Sequence, residues 1–149
     1  MLADRLEARR RTGGQLTVFF IDVDDFKPVN DTHGHLMGDK LLRSFAHRLL
    51  SGVRATDHSA RLGGDEFAVL LEGLSPRDAR PIAQALGERL SRPYAIDHVE
   101  LHVSACIGVA GFPDDGHSAE ALLQAADAAM YRAKAAGKGR YSMSGFGSL

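Results

Sequence analysis

Apolar positions along the chain fall into two periods. From Leu16 to Val23 the sequence is almost continuously apolar (Leu16, Val18, Phe19, Phe20, Ile21, Val23), as expected of a central strand covered on both faces. Short runs from Ser59 to Leu62 and from Phe67 to Leu71 flank Gly63-Gly64. They read as a tight hairpin, with the glycines supplying the positive φ that a short turn demands. Tyr94 to Ile96 and Val99 to Val109 read as a further antiparallel pair turning at Asp97-His98. In its second strand Val99, Leu101, Val103, Ala105, Ile107 and Val109 share one face, and Glu100, His102 and Ser104 the other.

The remaining segments carry the helical period. Leu2 to Arg11 predicts a short, Arg-rich helix ended by Gly13-Gly14. Phe26 to Asp39 reads as a helical turn, a Gly-interrupted connection and a helix start. An amphipathic helix then runs from Asp39 to Val53 on Leu42, Phe45, Ala46, Leu49 and Val53. Ser75 caps a helix with Pro76 at its first position and a stripe of Ala79, Ile82, Ala83, Leu86 and Leu90. Ser118 caps the last helix, with Glu120 in its first turn. Its stripe (Leu122, Leu123, Ala126, Ala129, Met130, Ala133) is rich in alanine, so it can pack close. Residues 142–149 read as an unstructured tail. The order of elements, β-α-α-β-β-α-β-β-α-β, predicts an α+β architecture: a mostly antiparallel sheet flanked by helices.

Composition narrows the class. A chain of 149 residues, 44% hydrophobic and 25% charged, predicts one globular domain over 1–149 with a core at about 15–141. A net charge of -1 offers no attraction to nucleic acid or to an anionic membrane surface. No apolar run approaches the roughly 20 residues needed to cross a bilayer, and Met1 to Arg11 lacks a signal-peptide core. The lone Cys106, inside a predicted strand, reads as a buried thiol compatible with a reducing compartment.

Charge appears where the apolar runs stop. Asp22 and Asp24 share a face at the end of the first strand, and Asp25 follows. Carboxylates there need a partner, either a bound cation or a solvated strand end. Asp65 and Glu66 sit at the hairpin tip, either as oxygen ligands for a hard cation or as an ordinary polar turn. Asn30 and Asp39 suit the donors and acceptors of a guanine edge, although each also suits a helix start. Arg54 and Asp57 precede the hairpin, and Lys134 and Lys138 close the last helix, where cations are favoured in any case. His98 and His102 lack partners for a transition-metal site.

Read as a string, Arg61-Leu62-Gly63-Gly64-Asp65-Glu66-Phe67 resembles the signature of the GGDEF family, the diguanylate cyclases. The segment from Phe26 to Asp39 resembles the family's F-K-x-x-N-D-x-x-G-H-x-x-G-D at every fixed position, and the ordered likeness runs from about Leu16 to Arg140. The resemblance implies a palm-like cyclase fold and condensation of two GTP into cyclic di-GMP. It implies Mg²⁺ (or Mn²⁺) on Asp22, the Val23 carbonyl and Asp65, with Asp65, Glu66 and Lys27 catalytic. Asn30, His35, Asp39, Lys134 and Lys138 would bind substrate. Backbone N–H groups from Asp25 to Lys27 would cradle the phosphates, and Arg54-x-x-Asp57 would be a product-inhibition site. Turnover would need a homodimer, in a cytoplasmic setting that includes the cytoplasmic part of a membrane-linked protein.

The chain also departs from the family. Gly139 replaces the usual Asn of K-x-x-G-[RK]-N, and the Asp-x-Leu-Thr-Gly-Leu-x-Asn-Arg lead-in is absent. The expectation is a piece of a longer protein with an upstream sensory domain. Three alternatives remain at this point: a GTP or cyclic di-GMP sensing module, a cyclase using ATP or making a mixed dinucleotide, and a structural or dimerisation domain.

Overall fold

The computed structural model describes residues 2–54 and 57–144. Helix α1 (Leu2–Thr12) leads into β1 (Leu16–Asp24), then α2 (Phe26–His33) and α3 (His35–Ser51). The hairpin β2 (His58–Gly63) and β3 (Glu66–Glu72) follows, then α4 (Pro76–Leu90). A small ribbon, β4 (Tyr94–Ile96) and β5 (Val99–Leu101), precedes β6 (Ser104–Phe112), α5 (Ala119–Ala136) and β7 (Tyr141–Met143). The architecture is α+β. One sheet of order β2-β3-β1-β6-β7 is antiparallel except for the β6–β7 pair, and the β4–β5 ribbon stands apart.

Both faces of β1 are buried, which accounts for its continuous apolar run. Phe19, Ile21 and Val23 join Phe45, Phe67, Leu86 and Tyr94 in a core that includes residues of α3 and α4. Leu16, Val18 and Phe20 join Leu6, Cys106, Leu122 and Met130 in a second core that includes residues of α1 and α5. Register then fixes the polar end of the sheet, where Asp22 lies opposite Glu66 on β3 and Cys106 on β6. At the hairpin tip Gly63 and Gly64 have φ of +149° and +47°, and Arg61 Nε donates to the Gly64 carbonyl at 2.9 Å. The glycines therefore provide the backbone freedom that the sequence suggests.

Four expectations need correction. Helix α3 begins at His35, not at Asp39, because Gly34 at φ +90° breaks the chain just before it. Asp39 therefore lies in the second turn, beyond the first-turn position. The segment from Phe26 is a full helix, not a single turn. Val99 to Val109 is two strands: β5 pairs only with β4, and after His102 and Val103 the chain enters the main sheet as β6. Residues 142 and 143 belong to β7, with Ser142 and Met143 buried; the rest of the expected tail, 145–149, lies outside the described residues.

Close packing of α5 on the sheet depends on Gly108. A Cβ there would lie 1.9 Å from the Ala126 carbonyl oxygen and 2.4 Å from the Met130 nitrogen, both of them helix backbone. A Cβ at Gly87 in α4 would meet nothing nearer than Ile107 Cδ1 at 3.8 Å. Gly108→Ala is therefore expected to lose about 2–3 kcal/mol in urea unfolding, and Gly87→Ala to gain about 0.5–1 kcal/mol from helix propensity. Equal stabilities for the two variants would contradict this packing.

Candidate functional site

The end of β1 brings acids from two distant chain segments together. Asp22 faces Glu66 across the β1–β3 ladder, and the Val23 N–H donates to the Asp65 carbonyl at 3.1 Å. The Asp22 side chain is 13% exposed. Its Oδ2 accepts from Lys134 Nζ at 2.6 Å, while its Oδ1 is buried without a partner among the described residues. Burial pushes the Asp22 carboxyl above the ordinary carboxylate value. The Lys134 bond opposes that rise, and the charges of Asp65 and Glu66 add to it. Burial acts to lower the Lys134 pKa, but its bond to Asp22 and the charges of Asp22 and Asp24 lift it above the usual lysine value.

Asp24 is only 2% exposed, so it is not the solvated strand end that the sequence left open beside a bound cation. Its Oδ2 accepts from Ser104 Oγ at 2.7 Å, the Gly139 N–H at 2.9 Å and the Cys106 thiol at 3.3 Å. Cys106 is the buried thiol expected, its pKa raised by burial. Gly139 sits at φ +70°, a left-handed conformation that glycine and asparagine tolerate better than other residues. The departure from the family's Asn is thus a swap between the two residue types suited to this backbone. Lys138 pairs with Asp25, which raises the Lys138 pKa.

Asp25 itself adopts a left-handed backbone, φ 63° and ψ 26°, at the start of α2, with no side-chain cap on the first helical N–H groups. Aspartate is one of the few non-glycine residue types that adopt this conformation readily. Uncapped N–H groups at a helix start favour an anion. Lys27 is exposed on the first turn of α2 and has no hydrogen bond or ion pair among the described residues. Asn30, further along α2, packs against α3, and its Oδ1 is buried and unpaired. A Cβ on Gly38 would fall 1.8 Å from that oxygen, so a larger residue there would displace the Asn30 side chain. His35 and Asp39 are exposed on the opening turns of α3.

Arg54 and Asp57 do not join this group. They lie beyond the other end of β2, whose six residues separate them from the hairpin tip by roughly 20 Å. They close on each other: Arg54 Nη2 and Nε donate to Asp57 Oδ1 at 2.7 and 3.1 Å, and the Arg54 N–H to Oδ2 at 2.8 Å. Arg54 Nη2 also donates to the Glu72 carbonyl at 3.3 Å. The Arg54 side chain remains 45% exposed. Residues 55 and 56 of this motif lie outside the described residues.

No cluster of three or more His, Cys, Asp or Glu residues able to hold a metal occurs among the described residues. The donors near Asp22 are all oxygens, one of them buried and unpaired. That set suits Mg²⁺, which takes one or two carboxylates and draws its other ligands from water and phosphate. A cleft of about 430 Å³ lies between α4 and β7, beside Ala83, Gly87, Ile107, Gly139 and Tyr141. The acid site is an open shelf, with Asp25 and Lys27 exposed at the start of α2 and Gly63 and Gly64 exposed at the hairpin tip. No helix among the described residues is long and apolar enough to cross a membrane.

The family profile described as "Diguanylate cyclase, GGDEF domain" matches residues 1–140. The chain is 46% identical over 145 residues to the bifunctional diguanylate cyclase/cyclic di-GMP phosphodiesterase MucR of Pseudomonas aeruginosa, covering 95% of this chain and 21% of MucR. It is 42% identical over 139 residues to the response regulator PleD of Caulobacter vibrioides, covering 91% of this chain and 31% of PleD. The chain thus spans less than a third of these curated relatives. The crystal structure of the GGDEF domain of YfiN (also TpbB) from Pseudomonas aeruginosa superposes with a TM-score of 0.93 at 39% identity, covering 97% of this chain and 91% of that one.

Because Asp65 contributes to the raised Asp22 pKa, Asp65→Asn should bring the Asp22 titration down toward 3.8, as followed by carboxyl-carbon NMR. An unmoved Asp22 titration would show that the two side chains share no field.

Proposed function

The chain belongs to the GGDEF family of diguanylate cyclases, and on that premise we propose that it condenses two GTP molecules into cyclic di-GMP. The observation that carries this reading is the buried, unpaired Asp22 Oδ1 at the polar end of β1, beside Asp65, Glu66 and Lys134. Asp22, Asp65 and the Val23 carbonyl would hold Mg²⁺ or Mn²⁺. Bound there, the cation would supply Lewis acidity toward the ribose hydroxyl and the triphosphate.

The chain's own residues do the rest. The exposed start of α2 receives β- and γ-phosphate oxygens on its N–H groups. Lys27, Lys134 and Lys138 offset the negative charge that grows on the leaving pyrophosphate. For Lys134 this means leaving Asp22, and for Lys138 leaving Asp25, as the cation and phosphates arrive. Asn30, His35 and Asp39 hold the guanine; Asn30 brings an amide with an unused acceptor and Asp39 an exposed carboxylate. Asp65, with Glu66 beside it, takes the proton of the 3′-hydroxyl. That oxygen bonds to the α-phosphorus of the second GTP, the bond from the α-phosphorus to the bridging oxygen breaks, and pyrophosphate departs. The same step repeated in the other direction closes the ring.

An open shelf holding one nucleotide needs a second copy opposite it, so the active form is a homodimer with two GTP molecules facing each other. A GTP-consuming reaction suits the cytoplasm, and an attached sensory domain remains part of this reading, alongside relatives that are more than three times as long. Cyclic di-GMP docking at Arg54 and Asp57 would inhibit turnover. The guanidinium must then turn part of its fork from Asp57 to the product's phosphate or guanine.

Incubation with GTP and Mg²⁺ followed by nucleotide chromatography should yield cyclic di-GMP. Asp65→Asn should lower the rate by about a thousandfold, within the usual range for a lost general base. Wild-type protein that binds GTP without making the cyclic product at high concentration would favour a sensing module instead. Arg54→Ala should raise the half-inhibitory concentration of cyclic di-GMP by about tenfold or more, equivalent to one lost charge-assisted contact. An unchanged value would remove Arg54 from the inhibitory site.

A further inference from the structure

We propose that Asp24 is a positioning residue. Its buried carboxylate pins the Gly139 backbone to the end of β1 and so fixes where Lys134 and Lys138 present their ammonium groups to the triphosphate. The inference rests on the nucleotide-binding reading above and adds to it a residue that touches neither metal nor substrate.

The connection between α5 and β7 has little stiffness of its own. It contains Gly137 at φ +134° and Gly139 at φ +70°, the residue type that loses most conformational freedom on ordering. Its ends are tied by the Gly137 N–H on the Lys134 carbonyl at 3.2 Å and the Ile107 N–H on the Arg140 carbonyl at 2.9 Å. Between those ties, the Gly139 N–H to Asp24 is the bond that reaches β1, across 115 sequence positions. Ser104 Oγ and the Cys106 thiol donate to the same Oδ2, so the carboxylate is fixed to β6 before it holds the loop. Two other roles fit Asp24 poorly. Metal ligation fits Asp24 less well than Asp22, because Asp24 spends Oδ2 on three donors and its Oδ1 has Lys134 Nζ at 4.0 Å. A plain core residue here would be apolar, because a buried carboxylate is costly unless something requires its bonds.

The test compares Asp24→Ala, Asp24→Asn and Ser104→Ala in the full chain. Affinity is measured for a non-hydrolysable GTP analogue with Mg²⁺ and for GMP, which keeps the guanine and lacks the β- and γ-phosphates. Asp24→Ala loses the pin and should weaken the triphosphate analogue at least about tenfold while changing GMP by less than about twofold. Asp24→Asn keeps an oxygen for the Gly139 N–H and should recover the triphosphate affinity to within about threefold. Ser104→Ala removes a donor without releasing the loop, so it should lower the melting temperature and leave both affinities in place. Equal losses for GMP and the analogue in Asp24→Ala, or a loss in Ser104→Ala matching it, would make Asp24 merely structural. Should Asp24→Ala not fold, Asp24→Asn decides: a loss above about threefold means that the charge acts directly and overturns the pin. Wild-type protein that binds neither ligand would overturn the nucleotide reading, and this inference with it; wild-type binding with an unaffected Asp24→Ala overturns this inference alone.

Discussion

Two carboxylates leave the buried end of β1 on one face, and the surrounding site is built to contend with them. Asp24 meets neutral donors, a hydroxyl, a thiol and a backbone N–H. Asp22 meets one cation on Oδ2 and no partner on Oδ1, with two more acids close by. An acid whose pKa is raised on folding adds stability that is full below its ordinary value and is lost as pH rises through its folded value. The ionised form of Asp22 is therefore disfavoured by the fold relative to the protonated form, a cost that a nearby positive charge offsets. The same balance explains why Lys134 and Lys138 rest on carboxylates in the free chain: each is held near the shelf by an anion that a bound cation and its phosphates would replace.

Strand register makes this arrangement possible. β1 is the middle strand of the sheet, so its last residues are bordered by the hairpin tip on one side and by β6 on the other. Opposite faces of the same strand are covered by separate cores, and α5 can approach β6 only because Gly108 has no side chain. The close approach brings Lys134, in the last turn of α5, within reach of Asp22. Glycines at 38, 63, 64 and 108 thus set contacts or turns at which a larger residue would move a functional group.

Much of this was legible in the sequence because it depends on local pattern. The apolar run of β1, the Gly-Gly hairpin, the Ser75 and Ser118 caps and the alanine-rich stripe of α5 all appear where period and turn chemistry put them. The proximity of Asp22 and Asp65 followed from family resemblance, since pattern alone left a solvated strand end equally open. What escaped was set by tertiary contact. The start of α3 at His35 follows a positive-φ break at Gly34, where α2 turns to pack against α3. β7 is too short to show a period and exists because β6 offers it an edge. Asp24 could be seen as an acid in an apolar strand, but its donors lie 80 and 115 positions away, beyond any local rule.

The central claim is that Asp22 and Asp65 share one divalent cation beneath a bound triphosphate. A crystal structure of the chain with Mg²⁺ and a non-hydrolysable GTP analogue tests it most directly. The account predicts a cation bridged by Asp22, Asp65 and phosphate oxygens, with Lys134 moved off Asp22 onto the nucleotide. A nucleotide bound elsewhere, or a cation that leaves the Lys134–Asp22 pair intact, would contradict it.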